Sequence, residues 1–92
     1  MVKTKCIIKK PTIRDRDLSK ENVLGFAYPD CFEIEIERNQ SDKEYQNTLI
    51  HEVFHCILPD LTERSVIKFA DILSDILWKR GYKTRVKRKK NK

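Results

Sequence analysis

The sequence predicts an α+β fold in which a small sheet of about three strands precedes two antiparallel helices. The segments with strand-like character all lie before residue 40, two long segments with helical periodicity follow them, and Pro59 separates those two segments. The chain has 92 residues, which suits one small domain. We therefore expect a single domain over residues 1–82, followed by a basic tail over residues 83–92 that is disordered.

The first part of the predicted sheet is a strand over residues 3–9, where charged and apolar residues alternate. Pro11 and the charged residues 14–20 then predict a turn-rich connection. A weaker strand is expected over Val23–Tyr28, which contains Gly25 and ends at a Tyr-Pro-Asp turn.

The strongest strand pattern lies at residues 31–38, where apolar and acidic residues alternate. One face carries Phe32, Ile34 and Ile36, and the other carries Glu33, Glu35 and Glu37. We therefore expect a strand with one buried apolar face and one solvated acidic face.

A helix is expected to begin after Ser41, which with Glu44 forms a capping-box pattern, and to end near Leu58 because Pro59 cannot continue it. Its core stripe consists of Ile50, Val53, Phe54 and Ile57.

The second helix is expected to start near residues 60–62 and to end at Arg80, with Gly81 at the C′ position. Apolar residues recur in it at i, i+3, i+4 and i+7, and the predicted core stripe consists of Val66, Phe69, Ala70, Leu73, Ile76 and Leu77.

Charge is distributed unevenly along the chain, although the net charge is only +6. Residues 21–78 carry four basic and twelve acidic groups, whereas residues 79–92 carry nine basic and no acidic groups. The basic tail over residues 83–92 predicts either non-specific contact with nucleic acid or a solubilising role. It has no interleaved aromatic residues that would stack on bases.

The apolar runs, the N-terminus and the cysteines predict where in the cell the protein is located. No apolar run approaches the roughly 20 residues that span a bilayer, and the N-terminus does not resemble a signal peptide, so we expect a cytoplasmic protein without a membrane partner. Cys6, Cys31 and Cys56 form no CxxC pair, which argues against a disulfide framework and a cysteine zinc knuckle. We expect all three to be reduced and mostly buried.

The first helix contains an HExxH motif, formed by His51, Glu52 and His55 with two residues between. Positions i and i+4 lie on nearly the same helix face, so both imidazoles can reach one metal, and Glu52 projects beside them towards a metal-bound water. This pattern predicts a zinc site of the catalytic kind, in which three protein ligands leave one position open.

The third ligand must come from elsewhere in the chain. The extended motif HExxHxxGxxH is absent, because Leu58 and Leu61 stand where it requires glycine and histidine, so a metzincin is excluded. Glu63 is the first candidate, since it is expected in the first turn of the second helix, just beyond Pro59. Its alternative role is a capping partner for Asp60 or an acid that the helix dipole favours. Asp60 and then Asp71 are the other candidate ligands.

The segment from Thr48 to His55, together with Glu63 and the apolar pattern of the second helix, resembles the small zincin-type metallopeptidases of phages and mobile elements. It is also similar to the minigluzincins and to the repressor-cleaving ImmA/IrrE-like proteases. The resemblance spans residues 22–82 and implies a minimal zincin-like fold. It further implies that His51, His55 and Glu63 are zinc ligands and that Glu52 is the general base.

These observations lead to the hypothesis of a zinc-dependent metallopeptidase that acts on a protein or peptide substrate. The substrate backbone is expected to pair with the edge of the strand over residues 32–38. Tyr28, Tyr45, Tyr82 or an arginine are candidate oxyanion donors. Two alternatives stay open: a zinc-stabilised binding protein without catalysis, and a nucleic-acid-associated protein that uses its basic arms.

Overall fold

A computed structural model describes residues 10–85 of the chain. In chain order its elements are β1 (Thr12–Arg16), a short 3-10 turn (Ser19–Glu21), β2 (Gly25–Tyr28), β3 (Glu33–Glu37), α1 (Asp42–Ile57) and α2 (Glu63–Lys79). The strand expected over residues 3–9, Cys6 and residues 86–92 of the expected tail lie outside the described residues.

The described strands form a three-stranded mixed sheet in the order β1-β3-β2. β3 pairs with β1 in parallel and with β2 in antiparallel orientation, so it occupies the centre. The two helices follow the sheet in the chain, which confirms the predicted α+β class.

β1 lies where the sequence predicted a turn-rich connection, and that prediction was wrong for Thr12–Arg16. Its residues are exposed and show no apolar alternation, so no local pattern marks a strand. Tertiary contacts hold it instead: Arg16 donates a 2.7 Å hydrogen bond to Glu35 on β3, and Asp15 accepts one from Tyr45 on α1.

The core lies between the sheet and α1. Ile34 and Ile36 of β3 are fully buried and pack with the buried Tyr45 and Cys56 of α1. Four partly buried side chains complete this cluster: Ala27, Phe32, Leu49 and Val53. The apolar face predicted for β3 is therefore confirmed.

The acidic face of β3 is not solvated as the sequence predicted, because Glu35 and Glu37 are both buried. Glu35 is paired with Arg16 and also accepts a 3.2 Å hydrogen bond from the Tyr28 hydroxyl. Glu37 accepts backbone N–H bonds from Leu18 at 2.5 Å and from Asn39 at 2.9 Å. A sequence of alternating glutamates does not reveal these partners, because they come from β1, β2 and two loops.

Both helices begin and end close to their predicted limits. The capping box of α1 is present: Glu44 donates its N–H to Ser41 Oγ at 3.2 Å, and Ser41 donates its N–H to Glu44 Oε1 at 3.4 Å. α2 ends before Gly81, whose φ of +90° is the left-handed conformation that glycine adopts without strain. The Tyr82 N–H then bonds to the Leu77 carbonyl at 2.9 Å, as in a Schellman motif.

α1 occupies the middle of the domain, since it packs against β2 and β3 on one side and against α2 on the other. Val66 and Ala70 of the predicted α2 stripe are fully buried. Phe69, Leu73 and Ile76 were expected in the same core but remain exposed, so that part of the prediction was wrong. α2 buries only one side against α1, and part of its apolar surface lies outside that contact.

The structure also describes two of the cysteines and the length and apolar character of the helices. Cys56 is buried and free, but Cys31 is exposed, which corrects the expectation that it is buried. Among residues 10–85, no helix combines the length and the apolar character needed to cross a bilayer.

The hydrogen bond between Tyr45 and Asp15 predicts how the stability of the protein depends on pH. Burial raises the pKa of Tyr45 above its usual range, and the hydrogen bond to Asp15 raises it further. The folded state thus holds the hydroxyl proton of Tyr45 more tightly than the unfolded chain does. The protonated hydroxyl therefore contributes fully to the unfolding free energy below the unfolded pKa of about 10, and this contribution is lost as the pH rises above that value. Wild-type protein should lose more unfolding free energy than Tyr45→Phe between about pH 8 and about pH 10.5.

Urea unfolding followed by circular dichroism at the two pH values measures this difference. At the lower pH the variant should be less stable by about 1–2 kcal/mol, because Asp15 loses a hydrogen-bond partner. Tyr82→Phe, at an exposed tyrosine, is the matched control and should follow the wild type. Equal pH dependence in wild type and Tyr45→Phe would contradict the assignment.

Candidate metal centre

His51 and His55 lie one turn apart on the same side of α1, as their i, i+4 spacing predicts. Their ring centroids are 4.8 Å apart, and both side chains are partly buried. The helix alone therefore brings two imidazole groups together.

Glu63, the first residue of α2, faces both histidines. One carboxylate oxygen, Oε1, is 2.6 Å from His55 Nε2, and the other, Oε2, is 3.3 Å from His51 Nε2. One ligand atom from each of the three residues can be chosen so that all lie within 4.8 Å of one another. Two turns of α1 and the start of α2 thus converge on one point.

This donor set has the chemistry of a zinc site. Two imidazole nitrogens and one carboxylate oxygen are common ligands of zinc, at bond lengths of about 2.0–2.2 Å. Tetrahedral ligands at that distance stand about 3.3 Å from one another, which matches the 3.3 Å between Glu63 Oε2 and His51 Nε2. The 2.6 Å between Glu63 Oε1 and His55 Nε2 is a direct hydrogen bond, which a metal ion between the two residues would replace. His51, His55 and Glu63 could therefore hold a metal ion with small side-chain adjustments.

The other two candidate ligands are not in this group. Among the described residues, only His51, His55 and Glu63 form a cluster with metal-ligand geometry. Asp71 instead accepts a 2.9 Å hydrogen bond from the Asn47 side chain. The alternative role of Glu63 as a capping partner of Asp60 is also not observed, because Thr62 caps α2 by accepting the Ser65 N–H at 3.1 Å.

Glu52 is the buried carboxylate of the site, with 8% of its surface exposed. Burial raises the pKa of Glu52 above its usual range, the nearby His51 and His55 lower it in part, and Glu63 raises it. A carboxyl group with a raised pKa beside a cluster of possible metal ligands is a candidate for proton transfer.

Gly25 is the site residue that the sequence reasoning missed. A Cβ atom built on Gly25 would lie 2.9 Å from Glu52 Cγ, 3.0 Å from Glu52 Oε2 and 3.1 Å from Thr48 Cγ2. Any larger residue at the start of β2 would therefore collide with the Glu52 side chain. The available signal was a glycine inside a strand pattern, which often marks a close approach.

The site opens into two shallow depressions along β2. One depression, of about 350 Å³, lies between the helices and β2. Its lining residues from the helices are His51, Glu52, His55 and Glu63, and those from β2 and the turn after it are Gly25, Phe26, Ala27 and Pro29. The other, of about 370 Å³, shares three of these residues and extends to the loop before β2: Asn22, Val23, Leu24, Gly25, Asn47, Thr48, His51 and Glu52. The two depressions share Gly25, His51 and Glu52, and we call them together the groove beside β2; it lies next to His51, His55 and Glu63, the His/Glu cluster.

The tyrosines considered as oxyanion donors line neither depression. Tyr28 donates its hydroxyl to Glu35, and Tyr45 donates its hydroxyl to Asp15. Tyr82 follows α2 and lines a separate depression with Leu49. No described tyrosine therefore has the position that this role requires.

Comparison of the chain with protein-family models, with curated proteins and with solved structures gives no match.

The contact between Gly25 and Glu52 generates a second prediction. Gly25→Ala should lower the unfolding free energy by about 1–3 kcal/mol, because the new methyl group overpacks a site already in contact with a buried carboxylate. In a Glu52→Ala background the cost of Gly25→Ala should shrink by about 1 kcal/mol or more, since the two nearest atoms are gone.

Urea unfolding of the four proteins in this double-mutant cycle tests the contact. Glu44→Ala, at an exposed carboxylate on the same helix, is the control background, and there the cost of Gly25→Ala should be unchanged. The same cost in all three backgrounds would show that the Gly25 effect does not involve Glu52.

Proposed function

We propose that this protein is a zinc-dependent metallopeptidase. The observation that carries the proposal is the convergence of His51, His55 and Glu63 next to the buried carboxylate of Glu52. Two imidazoles, one carboxylate and an adjacent acid with a raised pKa are the parts that a hydrolytic zinc site uses.

His51, His55 and Glu63 would hold the ion, and Glu52 would handle the proton. Zinc, when bound, supplies a Lewis acid that polarises a carbonyl and lowers the pKa of water. Glu52 accepts a proton from the attacking water and delivers it to the departing amine. Burial supports this role, because a carboxylate whose pKa is raised is a stronger base and takes up the proton of the water more readily than an exposed glutamate.

The proposed substrate is an extended peptide lying along β2. The sequence reasoning favoured pairing with the strand at residues 32–38, and this was wrong, because β3 is hydrogen-bonded on both sides. β2 is an edge strand of the described sheet, and its residues line the groove beside the His/Glu cluster. Backbone hydrogen bonds along such an edge bind a peptide with little demand on its sequence.

Metal content provides the first test of this proposal. Purified full-length protein incubated with zinc and then desalted should retain about one zinc per chain, measured by plasma mass spectrometry. Glu63→Ala should weaken zinc binding by about tenfold or more, because it removes one of three protein ligands. Asp60→Ala and Asp71→Ala remove carboxylates outside the cluster and should bind zinc as the wild type does.

The zinc proposal fails if the wild type retains no metal after incubation. The ligand assignment fails if Asp60→Ala or Asp71→Ala reduces zinc binding as much as Glu63→Ala does.

Activity of a Glu52 variant tests the proposed reaction. Glu52→Gln should retain zinc and fold while its peptide hydrolysis falls by about 10²-fold or more, since the amide cannot accept the proton. Cleavage is measured with a mixed peptide library and mass spectrometry of the products. Glu44→Gln is the matched control, because a capping box accepts glutamine in place of glutamate.

Two outcomes would contradict the mechanism. Equal hydrolysis by wild type and Glu52→Gln would remove Glu52 from the reaction. A zinc-loaded wild type that cleaves no peptide in the library would favour a zinc-stabilised binding protein instead.

A further inference from the structure

The exposed side of α2 carries an apolar stripe. Phe69, Ile72, Leu73 and Ile76 recur at i, i+3, i+4 and i+7, which places them on one side of the helix. Their exposed fractions are 44%, 52%, 38% and 51%, respectively. The Phe69 ring meets Phe54 of α1 with 6.3 Å between centroids, so the stripe continues towards α1. Contiguous apolar surface of this kind on a small domain marks an interaction site.

α2 uses only part of its surface within the domain. Its buried residues are Val66, Ala70 and Ser74, which face α1. Ile72 lies about 160° around the helix from Ala70 when each residue turns by 100°, so the stripe reaches the side of α2 that is farthest from α1. Burial in the described fold therefore does not explain the apolar residues of the stripe.

The stripe is nearly symmetrical about its own midpoint. If a second α2 lies across it in the opposite direction, Phe69 faces Ile76 of the other copy and Ile72 faces Leu73. Every apolar residue of the stripe then meets an apolar residue. An interface of this type needs only one surface, which both copies supply.

The charges beside the stripe suit the same arrangement. Lys68 and Asp75 are seven residues apart, so they lie on one flank of the helix, two turns from each other. Asp75 is paired at 3.1 Å with Lys79 of its own helix, so a lysine of a second copy would join an existing ion pair. In the reversed orientation Lys68 of each copy approaches Asp75 of the other, and the contact occurs twice. In a parallel two-fold arrangement the flanks that carry these residues lie on opposite sides of the interface, so Lys68 of one copy would not meet Asp75 of the other.

We propose that this protein forms a symmetric dimer through α2, with the stripe of Phe69, Ile72, Leu73 and Ile76 packed against the same stripe of a second copy. The groove beside β2 remains open in this dimer. It is lined by the side of α1 that carries His51, and of α2 only Glu63 at its first turn contributes to it.

Sedimentation velocity of the full chain over a concentration series tests the dimer. The wild type should shift from monomer to dimer within the micromolar range. Ile72→Glu should weaken self-association by about tenfold or more, because it buries two unpaired carboxylates at the centre of the interface. Ile67→Glu is the matched control: Ile67 is also on α2 and is 45% exposed, but it lies outside the stripe, so this variant should dimerise as the wild type does.

Charge reversal tests the orientation. Lys68→Asp and Asp75→Lys should each weaken the dimer, and the double variant should recover at least part of the loss, because the reciprocal pairs are restored. Circular dichroism of each variant verifies the fold. A wild type that stays monomeric at about 200 µM, or an Ile67→Glu variant as impaired as Ile72→Glu, would overturn the proposal.

Discussion

The position of α1 between the sheet and α2 is the constraint on which the rest of this small domain depends. One side of the helix fills the core with Tyr45 and Cys56 against Ile34 and Ile36. The side towards the edge strand carries His51 and His55, and Glu52 lies between that side and the core. Because an α-helix repeats every 3.6 residues, one sequence of 16 residues serves the core, the site and the contact with α2 at once.

The described part of the chain buries three carboxylates, those of Glu35, Glu37 and Glu52. Glu35 and Glu37 are held by an arginine, a hydroxyl group and backbone N–H groups, which compensate much of their lost hydration. Glu52 differs, since burial is the main influence on its pKa and raises it. A small protein that keeps a carboxyl group buried in this way gives up stability at that position. The glycine at the start of β2 leaves the space that this carboxylate occupies.

Local signals in the sequence were enough for the helices and for most residues of the candidate site. Ser41 with Glu44, Pro59 and Gly81 set the helix limits through short-range hydrogen bonds and backbone conformation, and the HExxH spacing followed from helix geometry. Other features depend on contacts between distant residues and could not be read locally. Strand β1 is held by partners on β3 and α1, and the burial of Glu35 depends on Arg16 and Tyr28. The apolar stripe of α2 gave the correct helix but not the correct burial, because hydrophobicity does not specify which neighbour covers a surface.

The short connection between the two helices has a consequence for folding. The three residues proposed as ligands all fall within the 13 residues from His51 to Glu63, whereas the pairing of β1 with β3 joins residues 21 positions apart, such as Thr12 and Glu33. An ion held there closes a small loop, at a low entropic cost, and needs only the end of one helix and the start of the next. If the folded protein binds an ion there, partly folded chains that contain these two helices would therefore bind it as well. Because affinity for non-native states subtracts from ligand-induced stabilisation, zinc should raise the stability of the domain by less than its affinity for the folded protein would suggest.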